Sequence, residues 1–260
     1  MAAENTVQKH QSLSSIRLLK IMECLSTKRT PMRLTDLARE LKMTQPTVLR
    51  YLNALYSEGY AYQDPATGNY GLTWKVRGIA DQVKANSSLQ ALVHPYLAEM
   101  SNRLNVGMLL ATERNGDIVY LDLVISPDSM ETFLRIGKDA PLHATSSGKI
   151  MLSTKSDAQV KDILDRKGMP ELTAHTITNH KQMADVLDEV RTNGFALDDE
   201  ECEIGHRCVS VPLHDYTGTA IAAISASDTT ENLTRERVEL ILPELRKTAS
   251  AIEYILGYSK

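Results

Sequence analysis

Apolar residues recur at helical spacing three times within the first sixty positions. Ile16, Leu19, Ile21, Met22 and Leu25 predict a first helix with a broad apolar face, for which Ser14 is the candidate N-cap. Leu34, Leu37, Ala38 and Leu41 follow the i, i+3, i+4, i+7 rhythm of a second, with Asp36 well placed near its start. Lys42 and Met43 leave a short turn before Thr44, the expected N-cap of a third helix. Its predicted buried stripe is Val48, Leu49, Leu52, Leu55 and Tyr56, and its stop is Gly59. Pro46 falls in the first turn, where the missing amide has no intrahelical acceptor to lose. The rhythm then changes. Tyr60-Ala61-Tyr62-Gln63 and Asn69-Tyr70-Gly71-Leu72 are short strand candidates around the turn signal Asp64-Pro65-Ala66-Thr67-Gly68. Helix, short turn, helix and hairpin predict a winged helix-turn-helix, with a generic three-helix bundle plus hairpin as the competing reading.

Residues 73–84 return to helix through Val76, Ile79, Ala80 and Val83, a connector that is also a candidate for pairing with its copy in a second chain. Leu89–Leu104 is a further amphipathic helix. Residues 108–112 and 118–124 are strands flanking the tight turn Asn115-Gly116, and residues 131–136 are an expected third strand. Helices are expected at 147–152, 157–166 and 181–193, and strands at 195–197, 208–213 and 219–226. A last helix runs from an N-cap at Thr234 to Gly257. Runs of strands and helices without a repeating βαβ pattern indicate an α+β domain built on a mainly antiparallel sheet.

Composition narrows this picture and charge sharpens it. The chain is 42% hydrophobic and 24% charged, as in water-soluble globular proteins. No apolar run approaches the roughly 20 residues of a membrane span. Three cysteines are too few and too irregular for a disulfide framework, so reduced thiols in the cytoplasm are expected. The net charge of −4 averages two unlike parts. Residues 1–80 hold 11 Lys+Arg against 6 Asp+Glu (+5), and residues 81–260 hold 18 against 27 (−9). A basic N-terminal third on an acidic body fits local attraction to phosphate.

In a helix-turn-helix the N-terminal residues of the recognition helix meet base edges in the major groove. Here they are Thr44, Gln45, Pro46, Thr47, Arg50 and Tyr51, read as lying opposite the Val48/Leu52/Leu55 stripe or at its margin. Gln suits adenine, Arg suits guanine or phosphate, and Thr suits phosphate or a thymine methyl. Lys9, Arg17, Lys28, Arg29 and Lys42 are candidates for backbone contacts that position without specifying.

Other constellations weigh less. The run Asp198-Asp199-Glu200-Glu201 is read as a solvated charge run with one inward member rather than a catalytic or metal site. Cys202, His206 and Cys208 lack a fourth partner at zinc-ligand spacing. Thr145-Ser146-Ser147-Gly148-Lys149 is not a phosphate loop. The Ser146/Lys149 spacing lacks the companion elements of a serine hydrolase. No metal and no cofactor is therefore expected.

The motifs taken together resemble the IclR-type bacterial transcriptional regulators over about residues 12 to 257. In the first half the resemblance rests on Ser12-Leu13-Ser14-Ser15-Ile16-Arg17-Leu18-Leu19-Lys20-Ile21, Leu34-Thr35-Asp36-Leu37-Ala38, Thr47-Val48-Leu49-Arg50-Tyr51-Leu52 and Glu58-Gly59-Tyr60. In the second it rests on the stretch from Gly137 through Pro141-Leu142-His143 to Gly148-Lys149, on Gly194-Phe195-Ala196-Leu197-Asp198-Asp199-Glu200-Glu201, on Gly205-His206-Arg207-Cys208-Val209-Ser210-Val211-Pro212, and on Ala222-Ala223-Ile224-Ser225-Ala226-Ser227. The resemblance implies a winged helix-turn-helix domain over 10–72, a linker helix over 73–86, and a GAF-like α/β effector-binding and oligomerisation domain over 87–260. It also implies an inverted-repeat DNA operator, assembly as a dimer or dimer of dimers, and a small organic acid as effector. Carried over by position, the effector site would use Ser146, Ser147, Asp198, Cys208, Ser225 and Ser227. Met108, Leu142, Leu123 and Phe133 would supply apolar walls.

Several positions depart from the family pattern. Gln45-Pro46-Thr47 stands where Lys-Ser-Thr is common, and Ser210 stands in place of an alanine. Ser146-Ser147 makes a more polar rim, which favours a hydroxylated effector such as a sugar acid, and His206 replaces a commonly apolar residue. Three function classes follow: a ligand-responsive transcription factor, a small-molecule enzyme with a helical adaptor, and a winged-helix protein-interaction module. The basic N-terminal third and the joint presence of both family halves favour the first, controlling a catabolic operon.

Overall fold

The computed structural model describes residues 12–28, 30–86, 88–125 and 139–258. The chain forms two compact units, residues 1–86 and 87–260.

The first unit contains α1 (Leu13–Thr27), α2 (Leu34–Glu40), α3 (Gln45–Ser57), the hairpin β1 (Ala61–Gln63) and β2 (Tyr70–Leu72), and α4 (Trp74–Asn86). Ile21, Leu25, Leu37, Val48, Leu52 and Leu55 close a small core. Met32 bridges to Tyr70, tying the segment between α1 and α2 to the hairpin. Asp64 builds the hairpin turn by accepting the amides of Ala66 (2.8 Å) and Thr67 (3.3 Å), and Gly68 takes the positive φ of 71° that completes it.

Four expectations are corrected here. Ser12, not Ser14, occupies the N-cap of α1, leaving the Ser14 hydroxyl for Tyr51. Leu19 and Tyr56, expected in buried stripes, are 55% and 62% exposed, because a small three-helix core covers a narrower arc than the pattern suggests. Thr44 occupies the N-cap of α3 without capping an amide; its hydroxyl bonds that of Thr47 at 2.8 Å instead.

The second unit contains α5 (Leu89–Leu104), β3 (Gly107–Arg114), β4 (Asp117–Val124), β5 (Asp139–Pro141), α6 (Ser146–Ser153), α7 (Asp157–Lys167), α8 (His180–Asn193), β6 (Ala196–Asp199), β7 (His206–His214), β8 (Ala220–Thr229) and α9 (Arg235–Ile255). The strand β5 is not among the strands expected from the sequence. The strand expected at 131–136 lies outside the described residues. Among those residues the sheet has six strands in the order β5-β4-β3-β8-β7-β6, all antiparallel. Asn115 and Gly116 both take positive φ (55° and 84°), which suits the tight β3–β4 turn.

Side-chain alternation divides the sheet between two cores. Met108, Leu110, Val209, Val211, Ile224 and Ala226 pack with α5 and α9. Leu109, Ala111, Ile118, Tyr120 and Ala223 pack on the other face with α6, α7 and α8. A register shift between Leu110 and Ala111 interrupts the alternation of β4, so Tyr120 and Leu123, three positions apart, both pack against this second core. No helix among the described residues is long and apolar enough to cross a membrane.

Candidate functional site

In the first unit the exposed start of α3 presents Gln45, Pro46 and Arg50, with Thr47 half-buried beside them. No side chain caps the first-turn amides of α3. Tyr51, expected on or beside this surface, is 6% exposed and part of the core. Its hydroxyl still reaches outward. Hydrogen bonds from Ser14, Arg50 and Arg17 hold the phenol below its ordinary pKa. The Arg50 guanidinium sits 5.0 Å above the Tyr51 ring, with Nη2 donating to the hydroxyl at 3.1 Å. The Tyr51 hydroxyl thus faces Arg50 of α3 and lies close to Arg17 of α1.

The remaining cations divide. Lys42 is exposed in the turn between α2 and α3, at a φ of 51°. Lys28 pairs with Glu40 at 2.9 Å, so one charge expected for phosphate already has a partner. Lys9 and Arg29 lie outside the described residues. The hairpin from Ala61 to Leu72 holds no Lys or Arg.

In the second unit a cavity opens between the start of α6 and the sheet. Ser146, Ser147, Asp198, Cys208, Ser225, Ser227 and Leu123 all line it, so the structure brings together every polar residue assigned to an effector. Two walls are corrected. Met108 points to the opposite face, into the α5/α9 core, because strand alternation gives the cavity its neighbour Leu109 instead. Leu142 packs in the α6–α8 core and does not line the cavity. Phe133 lies outside the described residues. Tyr120, Glu203 and His206 also line the cavity, and none belonged to the expected set. The position of His206 at the start of β7, two residues before Cys208 on an alternating strand, was the available signal.

Helix α6 is buried from Ser146 to Leu152, an unusual setting for its lysine. Thr145 caps it, accepting the Gly148 amide at 3.1 Å and donating to the Pro141 carbonyl at 2.9 Å. Gly148 is required by close approach: a Cβ there would sit 2.2 Å from the Leu142 carbonyl oxygen. Lys149 is 1% exposed; its ammonium donates to the Leu197 carbonyl at 2.7 Å and forms an ion pair with Glu201.

The four successive acids are not a solvated run, since each is engaged by a different group. Asp198 Oδ1 accepts the amides of Glu201 (2.9 Å) and Cys202 (3.2 Å), latching the loop after β6. Asp199 pairs with Arg207 and Arg235, both at 2.6 Å. Glu200 takes a positive φ of 64° and accepts the Gly205 amide at 2.8 Å. Glu201 meets Lys149. Burial pushes the Asp198 carboxyl up to about 7, with the Cys202 amide and Lys149 opposing it. Burial likewise raises Glu201, against the pull of Lys149. Hydrogen bonds from Arg207 and Arg235 outweigh burial at Asp199 and hold it below its ordinary value.

The cavity floor is a cluster of hydroxyls. Ser147 lies 2.8 Å from Ser225, and Ser210 lies 2.7 Å from both Ser146 and Ser225. Cys208 Sγ lies 2.8 Å from the Ser227 hydroxyl. Among the described residues no three His, Cys, Asp or Glu side chains group to hold a metal ion.

A winged helix-turn-helix joined to a sheet domain with a serine-lined cavity is the build of a one-component transcription regulator, and comparison with known proteins agrees. Residues 15–65 match the IclR helix-turn-helix domain, and residues 82–254 match the bacterial transcriptional regulator IclR C-terminal domain. The HTH-type transcriptional regulator KdgR of Escherichia coli is 30% identical over 99% of this chain and 98% of its own. The crystal structure of Thermotoga maritima IclR superposes with a TM-score of 0.63 at 25% identity, covering 94% of this chain and 99% of that one. A double mutant of the inducer-binding domain of PobR from Acinetobacter, in complex with 3-hydroxybenzoic acid, covers 64% of this chain and 98% of its own, with a TM-score of 0.61 at 25% identity. The chain belongs to the IclR family: it is a DNA-binding transcriptional regulator with an effector-binding C-terminal domain, and not an enzyme.

Proposed function

We propose that this regulator senses a small organic acid, with a sugar acid favoured, and controls a catabolic operon from an inverted-repeat operator in the cytoplasm. The observation that carries the reading is the cavity at the start of α6. Serine hydroxyls and the α6 N-terminus suit a carboxylate, and Asp198 suits a ligand hydroxyl. The related PobR domain, which takes a hydroxylated carboxylic acid, supports the same ligand class. The abundance of hydroxyl groups over aromatic walls favours a polyhydroxy acid over an aromatic one.

The cavity encloses about 30 Å³, room for roughly two water-sized groups. An acid of several carbons enters by moving the start of α6 away from the sheet. Lys149 links that helix to the 198–201 loop, so the displacement leaves the site through a buried ion pair. Coupled to assembly as a dimer or dimer of dimers, it changes the spacing of paired recognition helices. Trp74 and Ile79, 79% and 50% exposed on α4, are apolar surface for that pairing. On DNA, Gln45, Thr47 and Arg50 read bases, Arg17 and Lys42 meet phosphates, and Tyr51 holds the two arginines.

A thermal-shift screen of sugar acids and small carboxylates on the full chain tests the reading. A ligand at 100 times its Kd adds about 2.7 kcal/mol, roughly 5–10 °C for a unit of this size. A screen in which no acid raises the melting temperature, while DNA binding persists, refutes acid sensing.

A further inference from the structure

The hydroxyl cluster contains one serine that neither lines the cavity nor was assigned a role. Ser210 of β7 is 0% exposed and lies beneath Ser146, Ser147 and Ser225. A serine hydroxyl has one proton and two lone pairs, so the direction of each hydrogen bond can be worked out. Ser210 donates to Ser146 at 2.7 Å, which spends its proton. In its 2.7 Å contact with Ser225 it must therefore accept, so Ser225 donates. Ser225 then has no proton left for Ser147 at 2.8 Å, and Ser147 donates there. The 3.2 Å approach of Ser147 to Ser210 is at most a shared arm of the same proton.

The result is a directed chain, Ser147 to Ser225 to Ser210 to Ser146. Its last proton, on Ser146, is the one the cluster does not consume, and Ser146 lines the cavity at the first residue of α6. We propose that Ser210 is a specificity-determining positioning residue: by donating to Ser146 it occupies one of that hydroxyl's two lone pairs and leaves its proton unspent, which favours ligands that place a carboxylate oxygen against it. The inference rests on the acid-sensing reading above. With Ala at 210, both lone pairs of Ser146 are open and nothing orients its proton, so the preference for an anionic oxygen relaxes.

The test is isothermal titration calorimetry of pyruvate, D-gluconate and D-galacturonate into the full chain, as wild type, S210A, S146A and S146A/S210A. For the acid that wild type binds most tightly, S146A should weaken binding ~10–100-fold, the range for a hydrogen bond to a charged group. S210A should weaken it roughly 5-fold, since the donor remains but loses its orientation. The decisive result is the cycle: S210A should have no further effect in the S146A background. Losses that multiply in the double variant overturn the inference, because Ser210 would then act through packing. Unchanged affinity in S210A also overturns it. Failure of all three acids to bind wild type counts against the acid-sensing reading itself and removes the inference with it. Melting temperatures of the four proteins separate these outcomes from loss of fold.

Discussion

Replacing Asp198 by Asn removes one ionisable proton while keeping the side chain's shape and the oxygen that accepts the Glu201 and Cys202 amides. In the folded protein burial raises this carboxyl from 3.8 to about 7. The folded state therefore holds a proton that the unfolded chain releases, over the whole window between those values. Stability must fall as pH rises through that window and level off above about 8. Integrated from pH 5 to pH 8, a shift of this size is worth about 2–3 kcal/mol. D198N lacks the dependence, and the other carboxylates are common to both proteins. Its stability advantage over wild type should thus grow by about 2–3 kcal/mol between pH 5 and pH 8. The assay must follow the correct unit. The sole tryptophan, Trp74, lies in the first unit, so its fluorescence reports elsewhere. Hydrogen exchange of β7 and β8 amides, read at both pH values, reports the second. A difference that stays constant within about 0.5 kcal/mol refutes the reasoning. It would mean that Lys149 and the two amides keep Asp198 ionised despite its burial.

Other consequences follow from the same contacts. K149M should cost the second unit about 3–5 kcal/mol in denaturant titration, because Glu201 keeps a buried carboxylate whose Oε2 already lacks a hydrogen bond. K149M/E201Q should recover much of that loss, and equal losses in the single and double variants would show that the pair is not coupled. G148A should destabilise by at least about 2 kcal/mol, since backbone at Leu142 cannot rotate away as a side chain can; a melting temperature unchanged within a degree would contradict this. R50A should weaken operator binding by about 1–3 kcal/mol and relax base preference at the position it reads, without changing effector affinity. Y51F should weaken DNA binding less than R50A with its stability intact, measured by fluorescence anisotropy on duplexes selected from a random pool. Unaltered binding in both would move the Arg17/Tyr51/Arg50 cluster off the interface.

Much of the architecture was legible locally because local physics sets it. Leu89–Leu104 is a helix at the predicted residues, Thr234 caps the last helix, and Asn115-Gly116 turns the β3–β4 hairpin. Each follows from periodicity, capping or positive φ, which neighbours in sequence decide. The family motifs marked Ser146, Ser147, Asp198, Cys208, Ser225 and Ser227, and the fold gathers them at one cavity. Which side chain faces which core was another matter. A strand's alternation defines two sets of residues but does not say which set meets α6, and the cavity takes Leu109 rather than Met108. A bulge in β4 then breaks the alternation altogether, bringing Tyr120 and Leu123 to the same side.

Partners remote in sequence carried the rest. Tyr51 is aromatic on an amphipathic helix, and only its packing shows a buried ring with a hydroxyl that gathers arginines from two helices. By charge alone residues 198–201 read as a solvated run with one inward member. Lys149 and Arg207 reach them from 52 and 8 residues away, which makes the run a set of internal ties. Sequence by itself determined most of the elements, the two-part charge and the family. Tertiary structure decided which polar groups are buried together, because burial and hydrogen-bond direction depend on neighbours brought in from distant parts of the chain.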